Sequence, residues 1–261
     1  MTEWNATAYR RLSNPMQSWG EAIVQHLPLR GDETALDLGC GDGRLTEFLL
    51  RRLARGRVIA VDRSANMLQA ARARLEPEFG GRVEYLRRSL DDLDLREIAD
   101  LAFSNAAFHW ITDHPRLFEV VFEALKPGGW LVAQCGASPN IARLRARAAA
   151  LMASEAYAAY FDGWPGPWEF ASPELTAQRL TAAGFEDIET AMFEAPVQLG
   201  SGQETRDFFK NVIFGAHLER IPDAALRARF VDSLTVQSAA DDPPFRQDYW
   251  RLNMRARRPA R

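Results

Sequence analysis

Hydrophobic and polar positions along the first half of this chain switch between two periods. Residues 34–38 (TALDL) form a short, mostly apolar run. Gly39-Cys40-Gly41-Asp42-Gly43 follows at once, and Leu45, Phe48, Leu49 and Leu53 then recur at helical spacing. Val58 to Val61 is a second apolar run, closed by Asp62. The pattern predicts strand, glycine turn, helix and strand, with the two strands parallel and joined by a right-handed crossover. The alternation continues. Ser64 is placed to cap a helix carrying Ala70, Ala71 and Leu75, which Pro77 is expected to end. Residues 82–86 and 100–104 read as the third and fourth strands. Asp113-His114-Pro115 opens a helix carrying Leu117, Val120, Val121 and Leu125, and Lys126-Pro127-Gly128-Gly129 turns into a fifth strand over 130–135.

Past residue 136 the pattern changes. Residues 138–160 read as one long helical stretch, ending in a loop from Phe161 to Trp168 that is too rich in Trp and Pro for a simple connector. Ser172 caps a helix that runs to Ala183 and stops at Gly184, and residues 185–196 read as a sixth strand. Two helices follow over 205–218 and 222–237, then a last strand over 249–257. Ahead of the first strand, a helix over 16–26 carries Ile23, Val24 and Leu27 on one face, with Trp4 and Tyr9 before it. No internal repeat or low-complexity segment is evident.

The glycines have a physical task. A chain that leaves a strand and enters a helix within a few residues needs positive φ angles or close backbone approach, and glycine supplies both. Backbone amides bared at the helix start can face a ligand. Asp62, at the tip of the next strand, is placed to accept hydrogen bonds from a ribose diol, as in dinucleotide sites. The spacing departs from the dinucleotide fingerprint G-x-G-x-x-G, because position 44 is Arg44. A nucleotide-binding dehydrogenase and a purely structural turn remain alternatives on these residues alone.

Asp37-x-Gly39-x-Gly41-x-Gly43, with Asp62 closing the second strand and Pro127-Gly128-Gly129 later, resembles motif I and its surroundings in class I S-adenosylmethionine-dependent methyltransferases. The resemblance implies an α/β, Rossmann-like fold: a seven-stranded, mostly parallel sheet whose last strand is antiparallel, plus a helical cap. It divides the chain into an N-terminal segment over the cofactor (1–30), an S-adenosylmethionine-binding core (31–136), cap segments (137–170 and 197–245) and the rest of the sheet (171–196 and 246–261). The implied cofactor is S-adenosyl-L-methionine, leaving S-adenosyl-L-homocysteine as product. Its implied contacts are Asp37, Gly39, Cys40, Gly41 and Asp62, with Arg63 and Met67 flanking the adenine. Met67 is equally readable as core. Relatives usually carry an Asp after the third strand to receive the adenine amino group; here the aligned residue is Ser89, followed by Leu90 and Asp91, any of which could serve. Asn105, at the fourth strand's tip, is expected near the methionine moiety, with His109 and Trp110 toward the acceptor.

FSNAAFHWITDH, KPGGWLVAQ and RIPDAALRARF further resemble trans-aconitate methyltransferases and, more loosely, juvenile-hormone acid methyltransferases, both of which esterify carboxylates. A carboxylate is ionised at neutral pH and needs no general base, but it needs a cationic partner. Arg143, Arg145 and Arg220 are the candidates. His109 reads as a donor to an acidic acceptor, as a general base if the acceptor is a hydroxyl or amine, or as packing. Trp19, Trp110 and Trp164 are expected on the substrate side, and Trp4, Tyr9 and Met16 are candidates for closing the site. A non-catalytic S-adenosylmethionine-binding protein is the reading from another class. Composition narrows the partners. The 261 residues are 47% hydrophobic, with net charge −3, so there is no electrostatic case for nucleic acid. Cys40 and Cys135 offer neither a disulfide framework nor metal spacing. The N-terminal residues lack a leader's apolar core, and no run is long enough to span a membrane. The expectation is a cytoplasmic enzyme acting on a small-molecule acceptor, with no metal.

Overall fold

The computed structural model describes Trp4 and residues 14–260. All seven main strands are ones predicted along the chain, the first six being β1 (Thr34–Leu38), β2 (Arg57–Asp62), β3 (Val83–Arg87), β4 (Ala99–Asn105), β5 (Leu125–Gly136) and β6 (Glu186–Glu194). A two-stranded ribbon, β7 (Val197–Gln198) with β8 (Arg246–Gln247), precedes the last strand, β9 (Trp250–Arg257). The sheet order is β3-β2-β1-β4-β5-β9-β6. Strands β1 to β5 pair in parallel, and β9 is inserted antiparallel to both β5 and β6. This is the predicted sheet.

The period of two explains the layers. Ala35, Val58, Leu101 and Phe103 face one side of the sheet. There they pack against Val24 of α1 (Asn14–His26), Leu49 and Leu50 of α2 (Arg44–Arg52), and Ala71 and Leu75 of α3 (Ala65–Phe79). Leu36, Ile59 and Ala102 face the other, against Leu117, Val120 and Val121 of α4 (His114–Ala124) and Leu180 of α7 (Pro173–Ala182). Each of these large aliphatic side chains contributes about 1.5–3 kcal/mol by leaving water. The β1 run is buried along its whole length, as a central parallel strand requires.

Three expectations are corrected. Pro77 lies inside α3, not at its end. It sits in the last turn, where its missing amide leaves the Ala73 carbonyl without its intrahelical partner, and the helix ends two residues later with Gly80 as its cap. The long helix expected over 138–160 is two: α5 (Ala142–Met152) and α6 (Ala158–Phe161). Ser154 Oγ donates to Leu151 O at 2.7 Å, and the backbone turns there. The helix expected over 205–218 is α8 (Gly202–Phe208), a π turn (Phe209–Ile213) and α9 (Gly215–Arg220). Phe208, Phe209, Val212, Ile213 and Phe214 are all buried, which is more of the circumference than one α-helical stripe provides. The wider turn resolves the conflict and aims Val212 and Ile213 at the strand tips. With α10 (Ala224–Ala239), these helices build a third apolar cluster around Phe161, Phe214 and Phe230, which Met16 and Tyr249 join.

Candidate functional site

The turn after β1 is built on three left-handed glycines, Gly39 (φ 82), Gly41 (φ 55) and Gly43 (φ 81). Gly39 N and Cys40 N donate to Val61 O at 2.8 and 3.0 Å, clamping the turn to β2. A Cβ on Gly39 would come within 2.3 Å of Ala107 Cβ, so a side chain there would force the turn and Ala107 apart. A Cβ on Gly41 would meet nothing within 4 Å, because that residue faces open space. Asp62 ties the turn to the next helix: Oδ2 accepts from Gly41 N at 3.0 Å and Oδ1 from Ser64 N at 2.9 Å. Asp37 lies beneath. Thr46 Oγ1 donates to its Oδ2 at 2.6 Å. Burial, with the Asp62 charge adding to it, pushes its carboxyl up to about 7, against the Thr46 hydrogen bond.

Above the C-terminal tips of the parallel strands lies a cleft of about 1020 Å³, part of it open to solvent. Gly39, Gly41, Asp62, Arg63, Met67, Ser89 and Leu90 line one half, at the tips of β1, β2 and β3. Asp91 does not line it, and receives a hydrogen bond from Ser89 Oγ. At the cleft's middle stands Asn105. Its Nδ2 donates to Met16 O at 2.9 Å, fastening α1 over β4. Its Oδ1 is buried with no hydrogen-bond partner. Trp4 closes the mouth edge-on to Trp110, with ring centroids 5.2 Å apart, and Asn66 Nδ2 donates to its carbonyl at 3.3 Å. Tyr9 lies outside the described residues.

The other half sits over β4, β5 and β9. His109, in the 3-10 turn Phe108–Trp110, is 9% exposed and stacks on Phe170 with centroids 5.5 Å apart. Gly136 N–H donates to its Nδ1 at 3.3 Å. Burial first, then Arg251 and His114, hold its pKa well below the usual histidine value. The ring is therefore neutral, and because Nδ1 accepts, the proton is on Nε2. Arg251 faces Gly136 across the sheet and is 1% exposed. Its Nε donates to Gln134 Oε1 at 3.1 Å, Gln134 Nε2 donates to Asn253 Oδ1 at 2.7 Å, and the guanidinium lies 4.7 Å from the Trp19 ring. Trp168, Phe170, Ile213 and Tyr249 complete an apolar wall.

Ten of the predicted site residues thus share one cleft: Gly39, Gly41, Asp62, Arg63, Met67, Ser89, Leu90, Asn105, His109 and Trp110. Four do not line it. Asp37 and Cys40 are packed under the turn, and burial keeps the Cys40 thiol protonated. Trp19 backs Arg251 from behind. Trp164 faces a neighbouring groove, where Arg220 stacks on it at 5.1 Å; Trp168 of the same loop takes the cleft position. The three predicted arginine forks are engaged elsewhere. Arg143 pairs with Asp241, Arg145 lies over Phe170, and Arg220 donates to Tyr160 O at 2.9 Å. Sequence reasoning missed Arg251, Tyr249, Phe170 and the π-turn pair. One signal was present for Arg251: an antiparallel last strand begins at the edge where parallel strands end, so its first residues reach the ligand side.

A seven-stranded sheet of this order, with its last-sequence strand inserted antiparallel, and a glycine turn followed by a strand-tip acid are the architecture of class I methyltransferases. A family model described as a methyltransferase domain matches residues 35–129. The chain belongs to the class I S-adenosylmethionine-dependent methyltransferases. It is similar along most of its length to trans-aconitate 2-methyltransferase of Deinococcus radiodurans, 30% identical over 253 residues, 94% of each chain. The enzyme of the same name from Rhizobium etli is 34% identical over 131 residues, 50% of this chain and 49% of that one. Among solved structures, the YcgJ protein from Bacillus subtilis superposes with a TM-score of 0.65 at 12% identity, over 94% of this chain and 100% of that one. Phosphoethanolamine N-methyltransferase 2 of Haemonchus contortus, in complex with S-adenosylhomocysteine, gives 0.59 at 19%, over 93% and 52%.

Proposed function

We propose that the protein transfers a methyl group from S-adenosylmethionine to a carboxylate oxygen of a small organic acid. The observation that carries the acid over a hydroxyl or amine acceptor is the Gly136 N–H to His109 Nδ1 bond. It leaves His109 with a donor and no free lone pair toward the cleft. A phenol or ammonium needs a base at that point; a carboxylate needs a donor and no base. The full-length similarity to a chain named trans-aconitate 2-methyltransferase supports the same acceptor class.

The residues fit the cofactor. Asp62 would accept from the ribose diol, and Met67 and Leu90 would flank the adenine, with Ser89 at its edge and Arg63 beside it. The buried, unpartnered Asn105 Oδ1 suits the ammonium of the methionine moiety. When bound, S-adenosylmethionine supplies a methyl group on a sulfonium for in-line displacement. Asp37 and Cys40 act through the turn they pack under. In this reading, His109 Nε2–H orients the acid, and Trp110, Phe170 and Ile213 keep water from it. In this reading residues 137–170 and 197–245 cap the acceptor half, and α1, fastened to Asn105 through Met16 O, lies between the two halves.

The test is methyl-ester formation from labelled S-adenosylmethionine with trans-aconitate, a phenol and a primary amine as acceptors. Ester from the acid alone is expected. Labelled ether or amine without ester would overturn the acid reading, and S-adenosylhomocysteine binding without transfer to any of them would point to a non-catalytic binder. His109→Ala should lower kcat/KM for the acid by about 10- to 100-fold, the loss of one buried donor.

A further inference from the structure

Three arginines line the cleft: Arg63, half-buried, Arg88, exposed, and Arg251, 1% exposed. Arg63 and Arg88 belong to the cofactor half. Arg251 belongs to the acceptor half, and its head is held before any ligand arrives. Gln134 takes its Nε, Asn253 holds Gln134, and the Trp19 ring lies under the guanidinium plane. A fork fixed in this way loses little rotamer freedom on binding an anion.

Its position and its charge together say which anion. Asn105 is in register with Gln134 of β5, and Gln134 with Asn253 of β9. At about 4.8 Å per strand, the line of Arg251 runs about 10 Å from that of Asn105. The methyl donor belongs near Asn105, so a group seated on Arg251 is displaced from the reacting atom by a few bonds. The charge balance agrees. Attack by a carboxylate oxygen forms an O–C bond, breaks the S–C bond, and turns a carboxylate and a sulfonium into a neutral ester and a neutral thioether. A cation on the reacting carboxylate would pair most strongly before the reaction and so raise the barrier. A cation on a carboxylate that stays charged pairs equally before and at the transition state.

Resting on the acid reading above, we propose that Arg251, braced by Gln134 and Trp19, holds a second, non-reacting carboxylate of the acceptor and thereby selects polyacids over monoacids. A monoacid drawn to Arg251 presents no oxygen to the methyl group.

The experiment measures ester formation and S-adenosylhomocysteine affinity for wild type, Arg251→Gln and Arg251→Lys, with trans-aconitate and with the monoacid crotonate. Wild type should strongly prefer trans-aconitate. Arg251→Gln should lower the polyacid-to-monoacid ratio of kcat/KM by roughly 100-fold, with the loss in KM. Arg251→Lys should recover part of it, and both variants should keep wild-type affinity for S-adenosylhomocysteine. An unchanged ratio overturns the assignment while leaving the acid reading intact. Loss of S-adenosylhomocysteine affinity in both variants would make Arg251 structural and overturn it too. If wild type binds S-adenosylhomocysteine but esterifies neither acid, the acid reading fails first and the assignment with it.

Discussion

Asp37 and Asp62 are 25 positions apart, yet one turn brings their charges together, and they divide the work. Asp62 lines the cleft and latches Gly41 and Ser64. Asp62→Ala should weaken S-adenosylhomocysteine by at least about tenfold, read by calorimetry, through loss of both diol and latch. Asp37 is buried with a carboxyl at about 7 against an ordinary 3.8. Its folded-state pKa is raised, so its contribution to stability is complete below pH 3.8 and is lost as pH rises toward about 7. Urea unfolding of the unliganded wild type and Asp37→Asn, whose amide oxygen can still accept from Thr46, tests this. The wild-type advantage should shrink between pH 4 and 7 by up to about 4 kcal/mol. Both acids were legible from their spacing around the glycines, but their separate roles were not, since spacing carries no burial. The place of Arg251 at the start of an antiparallel last strand was legible, but its burial was not, for a related reason. Arg251 shares a parity with Asn253, Arg255 and Arg257, which are half-buried, and so reads as part of a solvated row. Trp19 of α1 lies against its guanidinium and Gln134 takes its Nε, and it is 1% exposed.

At the scale of elements, strands and their connecting helices followed from periodicity because one sheet buries both faces and a single stripe or run records that. Between β5 and β9, α7, β6 and α10 followed too, but the division of α5 from α6 and of α8 from α9 did not. The run from Phe208 to Phe214 is buried over most of its circumference, and α5 ends just before Ser154, with neither Gly nor Pro there to mark it. His217 in α9 shows what such packing costs. Its Nδ1 has no hydrogen-bond partner, and the rings of Trp164, Trp168 and Phe214 surround it with centroids 4.8–4.9 Å away. Burial lowers its pKa to about 3 from 6.5. The neutral form is required, so stability is full above pH 6.5 and falls as pH drops from there toward 3. His217→Phe removes the titration and the unpaired nitrogen together. Denaturant unfolding at pH 7 and pH 5 should show wild type losing about 2 kcal/mol more than the variant across that interval. Equal losses would contradict the assignment of this acid sensitivity to His217.

At the scale of the whole molecule, the sheet order separates the cleft into two halves that different parts of the chain close. The cofactor half is made by residues 39–90, contiguous in sequence, which is why a motif reveals it. The acceptor half gathers Phe170, Ile213, Tyr249 and Arg251 from three separate stretches, and only the fold brings them together. Asn105 joins the halves, with its Nδ2 on Met16 O and its Oδ1 buried without a partner. Ligand binding should therefore be ordered in its effects on the backbone. Hydrogen exchange with saturating S-adenosylhomocysteine is expected to slow amides at 39–43, 62–67 and 89–90, and those of α1 fastened by Asn105, while leaving 209–213 and 249–251 near their free rates. Addition of trans-aconitate should then slow the second group. Asn105→Leu, which cannot donate to Met16 O, should bind S-adenosylhomocysteine more weakly and lose the α1 protection while keeping that at 62–67. Uniform protection of both groups by S-adenosylhomocysteine alone would mean that the acceptor half is set by the cofactor rather than by the acid. Arg251 would then meet its anion in a cleft that the cofactor had already closed.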